Sequence, residues 1–341
     1  MPPATPTART AADRCPGVLR LVAAADGFLA RVRLPGGLVD AVGLRALADA
    51  CRDLGDGRLE LTSRGNVQLR ALRSEDAHEL GARLAEAGLW PSQTHERVRN
   101  IVASPLSDLA PQVRALDKAL CADARLAELS GRFLFGIDDG SNDIAALGPD
   151  VLARAGDPVA DMLSIAHAFL DEREAQGSSA WRIADLSHGP ARVYARLGLP
   201  VPPPAPSAPP APAGAFDAGH VLLVPLGRLI AAQADWLADR IGGGTAKVTP
   251  WRSVVVPTHD VDGAEDAGLG LDATSRWYGV SACAGQPGCE KALADVQSEA
   301  ARTAGTLRNV HFSGCGRRCG RPVDTVVDVI ATENGYVTTS A

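Results

Sequence analysis

Two close cysteine pairs, Cys283-x5-Cys289 and Cys315-x3-Cys319, constrain this chain more than any other feature. Four thiolates in such pairs can surround a cubane iron–sulfur cluster or a zinc ion. The intervening residues favour the cluster. Cys283-Ala-Gly-Gln-Pro-Gly-Cys289 and Ser313-Gly-Cys-Gly316 are rich in glycine and small residues, so the backbone can approach inorganic sulfide closely. A helix expected over about 290–304 would start just after Cys289 and turn its N-terminal N–H groups toward a thiolate. Zinc ligands are usually spaced by about two to four residues, which the first pair does not match. Zinc, or no metal at all, remains open. The other three cysteines, Cys15, Cys51 and Cys121, read as packing residues. Seven thiols, sparse and odd in number, do not form a disulfide framework.

The order of elements repeats. Phe28, Ala30, Val32 and Leu34 alternate with arginines as in a half-buried strand. A helix follows, with Leu44, Leu47, Ala48 and Cys51 on one face, and then a strand through Leu59 and Leu61. The Pro-rich stretch 200–214 reads as a linker. After it come a strand over 221–226, a helix through Ile230, Ala234, Leu237 and Ile241, a Gly242-Gly243-Gly244 stop, and a strand over 254–256. Arg64 and Arg252, 188 residues apart, fall at nearly equivalent points. Such a repeat predicts two pseudo-symmetric halves. Phe133, Phe135 and Ile137 alternate as a strand closed by Asp138-Asp139-Gly140, whose two acids read equally as turn formers or as pocket residues. A hairpin around Asn334-Gly335 is expected to close the chain.

Composition narrows the function. The chain is 46% hydrophobic and 22% charged, as an ordinary globular protein is. No apolar run is long enough for a membrane span, and residues 1–12 lack the apolar centre of a secretory signal. A cytoplasmic location is the expectation. The net charge of −6 argues against a nucleic-acid partner. Gly268-Leu-Gly270 is a poor match to a nicotinamide-binding loop, and there is no P-loop.

The cysteine pattern, set in His311-Phe-Ser-Gly-Cys-Gly-Arg-Arg-Cys319, resembles the sulfite and nitrite reductase superfamily. Thr62-Ser-Arg-Gly-Asn-Val-Gln68 looks like its first Arg…Gln signature, and Arg99-Asn100 with Ser104-Pro105 like its second basic element. Cys15-Pro-Gly17, Asn100 to Pro105, Phe133 to Gly140 and Thr249-Pro-Trp-Arg252 are most similar to the precorrin-3B synthase family within it. The resemblance implies an α+β fold, a pseudo-twofold repeat of ferredoxin-like half-domains and nitrite/sulfite reductase-type 4Fe–4S domains. The boundaries expected are a disordered tail (1–14), a first half-domain (15–75), a reductase-like domain (76–199), the linker (200–214), a second half-domain (215–262) and the cluster domain (263–341).

The resemblance also implies a monooxygenase of aerobic cobalamin biosynthesis. It would hydroxylate precorrin-3A at C20 and close a γ-lactone, using O2 and electrons relayed by a [4Fe–4S] cluster on Cys283, Cys289, Cys315 and Cys319. A mononuclear non-haem iron is associated with such enzymes, but no His/carboxylate spacing locates it. Electrons would come from NADH through a reductase, or from a ferredoxin. No catalytic side chain is singled out.

A carboxylate-rich tetrapyrrole calls for guanidinium groups. The expected pocket residues are Arg64, Gln68, Arg99, Asn100, Arg132, Arg252, Arg317 and Arg318, with Arg70 and Arg97 as further candidates. His311 is either a structural histidine or a hydrogen-bonder to the cluster. Two alternatives stay open. One is a siroheme-dependent sulfite or nitrite reductase, against which stands Leu134, where such reductases carry the second lysine of a pair. The other is a non-catalytic tetrapyrrole-binding protein in which the four cysteines hold a zinc ion.

Overall fold

Alternating apolar residues in two matching sets of strands build two five-stranded sheets with one design. The computed structural model describes residues 13, 15–206, 208–209, 212–322 and 325–340. Apart from Asp13, the tail expected over 1–14 lies outside the described residues. The chain divides into two units, one of 1–17, 33–38 and 90–211, the other of 18–32, 39–89 and 212–341.

The second unit carries the repeat. One sheet runs Val22–Ala24, Gly27–Val32, Val67–Leu72, Arg58–Leu61, Arg228–Ile230. The other runs Gly214–Phe216, Gly219–Leu223, Ser253–Val256, Thr245–Val248, Leu38–Asp40. Each half therefore lends its short third strand to the sheet of the other. The helices Ala41–Leu54 and Ala231–Ile241 are equivalent. Leu44, Leu47, Ala48 and Cys51 of the first are buried, as are Ala234, Leu237 and Ile241 of the second. Asp40 caps the first helix by accepting from the Gly43 N–H. Gly242, at φ 52°, ends the second. Arg45–Asp239 and Arg52–Asp235 ion pairs join the two helices at the surface.

The hairpin turns show where the two halves correspond. Thr62 N donates to Asn66 O at 2.9 Å, and Thr249 N to Ser253 O at 2.9 Å. Each threonine hydroxyl also accepts the N–H four residues on, 3.1 Å from Asn66 and 3.2 Å from Ser253. Aligning the threonines pairs Arg64 with Trp251 and Gly65 with Arg252. The equivalence expected between Arg64 and Arg252 is thus displaced by one residue.

The same unit ends in a sheet of Val280–Ala282, Val310–Ser313 and Val327–Thr332, parallel to one another, with Gly335–Ser340 antiparallel at the edge. The last two strands form the hairpin expected at Asn334-Gly335. The helix expected over about 290–304 covers only Val296–Thr303, capped by Asp295. Residues 290–294 instead bond the cysteine loops: Leu293 N donates to Gly314 O and Gln286 N to Ala294 O. Cys289 therefore does not sit at a helix N-terminus.

The first unit is built on a parallel sheet of Ile101–Ala103, Phe135–Asp138 and Val151–Arg154. Helices Ala110–Ala122, Val159–Ala175 and Gly189–Arg196 complete it. Phe133, Phe135 and Phe169 are fully buried in its core, with Phe133 ring centroids 5.2 and 5.1 Å from the other two.

Candidate metal centre

Cys283 and Cys315 lie just past the carboxyl ends of parallel strands, where such sheets present ligand sites, and Cys289 and Cys319 come later in the same two loops. Cys283 follows Val280–Ala282, and Cys315 follows Val310–Ser313 by one residue. Cys283 N donates to Phe312 O at 2.9 Å, which ties the first loop to the second strand. Gly314 N donates to Cys283 Sγ at 3.1 Å. A backbone N–H aimed at sulfur stabilises the thiolate, the form that binds metal.

The glycines are needed for packing. A Cβ on Gly285 (φ 66°) would stand 2.8 Å from Val296 Cγ2, and one on Gly314 would stand 2.7 Å from the Ala292 Cβ. Cys283, Cys289 and Cys315 are half-buried, and Cys319 is exposed. Burial pushes the Cys319 thiol up, and the charges of Cys283, Cys315 and Cys289 add to that. Four cysteine sulfurs on two glycine-rich loops are, by their chemistry, a donor set that an iron–sulfur cluster takes. Among the described residues no group of three or more His, Cys, Asp or Glu side chains is drawn together closely enough to hold a metal ion.

Behind the second loop, His311 is fully buried. Its Nδ1 lies 2.9 Å from Ser281 Oγ, and its Nε2 faces the backbone of Cys319 without good hydrogen-bond geometry. Burial, assisted by the Arg252 charge, pushes the imidazole down to about 4. Asp328, its register partner on the next strand, is also fully buried. Both Asp328 oxygens accept from Arg321 Nε, at 3.0 and 3.1 Å, and Arg318 Nη1 lies 3.4 Å away. Sequence reasoning missed Asp328, which looks like one more polar residue in an edge-like strand.

The other pocket candidates have varied surroundings. Arg64 is half-buried at the tip of the first hairpin. Gln68 accepts from Arg31 Nε at 2.8 Å and donates to Glu60 at 3.3 Å. Register explains this: Arg31, Gln68, Glu60 and Arg228 stand side by side across four strands. Arg252 donates to Gly320 O at 2.9 Å, and desolvation holds its guanidinium below the usual range. Arg317 is exposed, two residues before Cys319.

In the first unit, Arg99 is buried in a two-pronged pair with Asp117, both bonds 2.7 Å. Asn100 Nδ2 donates to Phe133 O at 3.1 Å. Arg132 is exposed, its guanidinium 5.2 Å from the Trp181 ring centroid. Leu134 is fully buried. In the second unit, Gly268–Gly270 cannot cradle a phosphate with all its N–H groups, since Gly270 N donates to Leu223 O.

The first unit also holds a counterpart of the cysteine site. Ser104 N donates to Ile137 O at 3.0 Å, as Cys283 N does to Phe312 O. Asp139 N donates to Ser104 Oγ at 3.2 Å, as Gly314 N does to Cys283 Sγ. Ser104 Oγ donates in turn to Asp143 at 2.6 Å, and the buried Asp138 accepts from Gly140 N at 2.8 Å and pairs with Arg154. A hydroxyl–carboxylate network thus stands where the other sheet has thiols.

Residues 23–87 match the nitrite/sulfite reductase ferredoxin-like half domain. The chain is 25% identical to a ferredoxin–nitrite reductase of Synechococcus elongatus, over 86% of this chain and 74% of that one. It is 23% identical to a precorrin-3B synthase of Sinorhizobium sp, over 94% of this chain and 81% of that one. Its fold is similar to that of the NirA protein of Mycobacterium tuberculosis, with a TM-score of 0.70, 19% identity, and coverage of 91% of this chain and 73% of that one. The fold is therefore α+β, a pseudo-twofold repeat whose first half matches the nitrite/sulfite reductase ferredoxin-like half domain and whose architecture is similar to that of NirA.

Proposed function

We propose that this chain is an iron–sulfur oxidoreductase of the precorrin-3B synthase type. It takes a carboxylate-rich tetrapyrrole such as precorrin-3A, hydroxylates C20 and closes a γ-lactone. One oxygen atom of O2 enters the substrate and the other leaves as water, which takes two electrons and two protons. The observation that carries this reading is the four-thiol set in two loops that follow parallel strands, in a chain similar over 94% of its length to a precorrin-3B synthase.

When bound, the cluster supplies electrons one at a time. Cys283, Cys289, Cys315 and Cys319 would hold it, and the Gly314 N–H would stabilise its Cys283 sulfur. Arg64 and Arg317 in the second unit, and separately Arg132 in the first, stay candidates for substrate carboxylates on the chemistry of the guanidinium group. Arg99 is already matched by Asp117, which makes it a poorer carboxylate ligand. An external donor, a reductase oxidising NADH or a ferredoxin, would deliver the electrons. No residue is assigned to a mononuclear iron.

A siroheme-dependent nitrite or sulfite reductase is the second reading, favoured by the similarity to the Synechococcus enzyme. Reduction of a small oxyanion needs cations beside it, and buried Leu134 supplies none. Anaerobic purification with iron, sulfide and zinc analysis and an absorption spectrum tests the proposal. About four irons and four sulfides per chain, no tetrapyrrole bands, and O2-dependent conversion of precorrin-3A support it. Intense tetrapyrrole bands favour the reductase, and zinc without iron ends both. Cys315→Ser must abolish the iron content.

A further inference from the structure

Three cysteines are flanked by a residue whose backbone carbonyl accepts from an arginine. Arg228 Nη2 donates to Ala284 O at 3.4 Å, next to Cys283. Arg70 Nη2 donates to Gly288 O, next to Cys289. Arg252 Nη2 donates to Gly320 O at 2.9 Å, next to Cys319. The three come from different elements: the strands Val67–Leu72 and Arg228–Ile230, and the turn before Ser253–Val256.

Each guanidinium is held in place. Arg70 is gripped by Asp26 at 2.8 and 2.9 Å, with its side chain 7% exposed. Arg228 pairs with Glu60 at 2.9 Å. The Arg252 side chain runs between two glycines. A Cβ on Gly227 would stand 2.6 Å from its Cδ, and one on Gly320 would stand 2.7 Å from its Nη2. Asp26 and Glu60 together balance two of the three positive charges, and Arg252 meets a carbonyl.

We propose that Arg70, Arg228 and Arg252 are positioning residues for the iron–sulfur cluster and not ligands of substrate carboxylates. They fix the loop carbonyls beside Cys283, Cys289 and Cys319; Arg252 sets positive charge against an anionic cluster, and Arg70 and Arg228 offset the carboxylates of Asp26 and Glu60. Added positive charge favours the more negative, reduced state, so the three raise the reduction potential. The inference rests on the cluster reading above and makes specific what its arginines do.

Anaerobically purified holoprotein is titrated with dithionite and mediator dyes while the cluster is followed by electron paramagnetic resonance. Iron and sulfide are counted first; their absence from the unmutated protein would sink the cluster reading itself. With both present, Arg252→Gln and Arg228→Gln should each reduce the ratio of reduced to oxidised cluster at fixed potential by about tenfold. For a one-electron couple that is about 59 mV downward. Arg252→Lys, which keeps the charge, should restore most of the shift. Arg302→Gln, on an exposed helix position paired with Glu299, controls for net charge and should leave the potential in place. If both glutamine variants keep iron, sulfide and potential while the KM for the tetrapyrrole rises about tenfold, the arginines are substrate ligands and the proposal falls. A shift as large in Arg302→Gln would also overturn it.

Discussion

Gly65 and Arg252 occupy the same left-handed place in two copies of one hairpin turn, at φ 65° and 61°. The first half uses the residue that enters this region without steric cost. The second puts an arginine there, and its guanidinium reaches Gly320 beside Cys319. A non-glycine residue in this region costs about 1 kcal/mol.

That cost makes a comparison possible. Arg252→Ala and Arg252→Gly both lose the hydrogen bond, but only the glycine variant relieves the backbone. Arg252→Gly should be the more stable of the two by about 1 kcal/mol in urea denaturation. Gly65→Ala should lose about the same amount. An alanine at 252 as stable as the glycine would contradict the turn described.

Glu172 gives the first unit an acid-sensitive joint. Its carboxyl is held below the usual range by a hydrogen bond from Gln176 and by Arg196 and Arg192, against the opposing effect of burial. The Arg196 Nε–Glu172 distance is 2.7 Å and the Arg192 Nη1 distance 3.3 Å, joining helix Val159–Ala175 to helix Gly189–Arg196. A depressed folded value means that the stabilisation is fully present above the unfolded glutamate value of about 4.3 and is lost as pH falls through the folded one. Denaturation midpoints of the unmutated protein and Glu172→Gln should differ at pH 6 and converge toward pH 3. A constant gap across that range would refute the assignment.

Leu134 tests the choice between the two enzyme readings. A lysine there would bury an ammonium in a fully enclosed position, at a cost of at least about 2 kcal/mol. Leu134→Lys should lower stability and should not produce nitrite or sulfite reduction with reduced methyl viologen. Gain of such activity in a well-folded variant would reverse the preference for the monooxygenase.

Cys51 should be chemically silent. It lies fully buried on the inner face of its helix, its Sγ 3.2 Å from Ala48 O, and burial pushes its thiol up to about 12. Thiolate is the reactive form. Iodoacetamide at pH 8 should leave Cys51 unlabelled in the native protein and label it in guanidinium, read by peptide mass spectrometry. Rapid native labelling would show the helix face to be open.

Much of this was legible along the chain. Period-two and period-3.6 patterns placed the strands and helices of both halves, because a buried face repeats at the pitch of its element. Cysteine spacing placed the candidate metal ligands for a similar reason: the pairs are local, and their glycine-rich loops are written next to them. Boundaries were less legible. The helix after Cys289 shortened to Val296–Thr303 because Leu293 and Ala294 bond to neighbouring loops, and such partners lie outside any local window.

The sequence by itself determined the two-fold repeat, the thiol set and the absence of a long apolar run, since each depends on residue type and spacing. Only the tertiary structure decided what the arginines do. Arg99 faces Asp117, Arg318 and Arg321 face Asp328, and Arg70, Arg228 and Arg252 face the carbonyls of the cysteine loops. A guanidinium is charged in any setting, so its role depends on the partner that strand register and turn geometry bring to it, often from far along the chain.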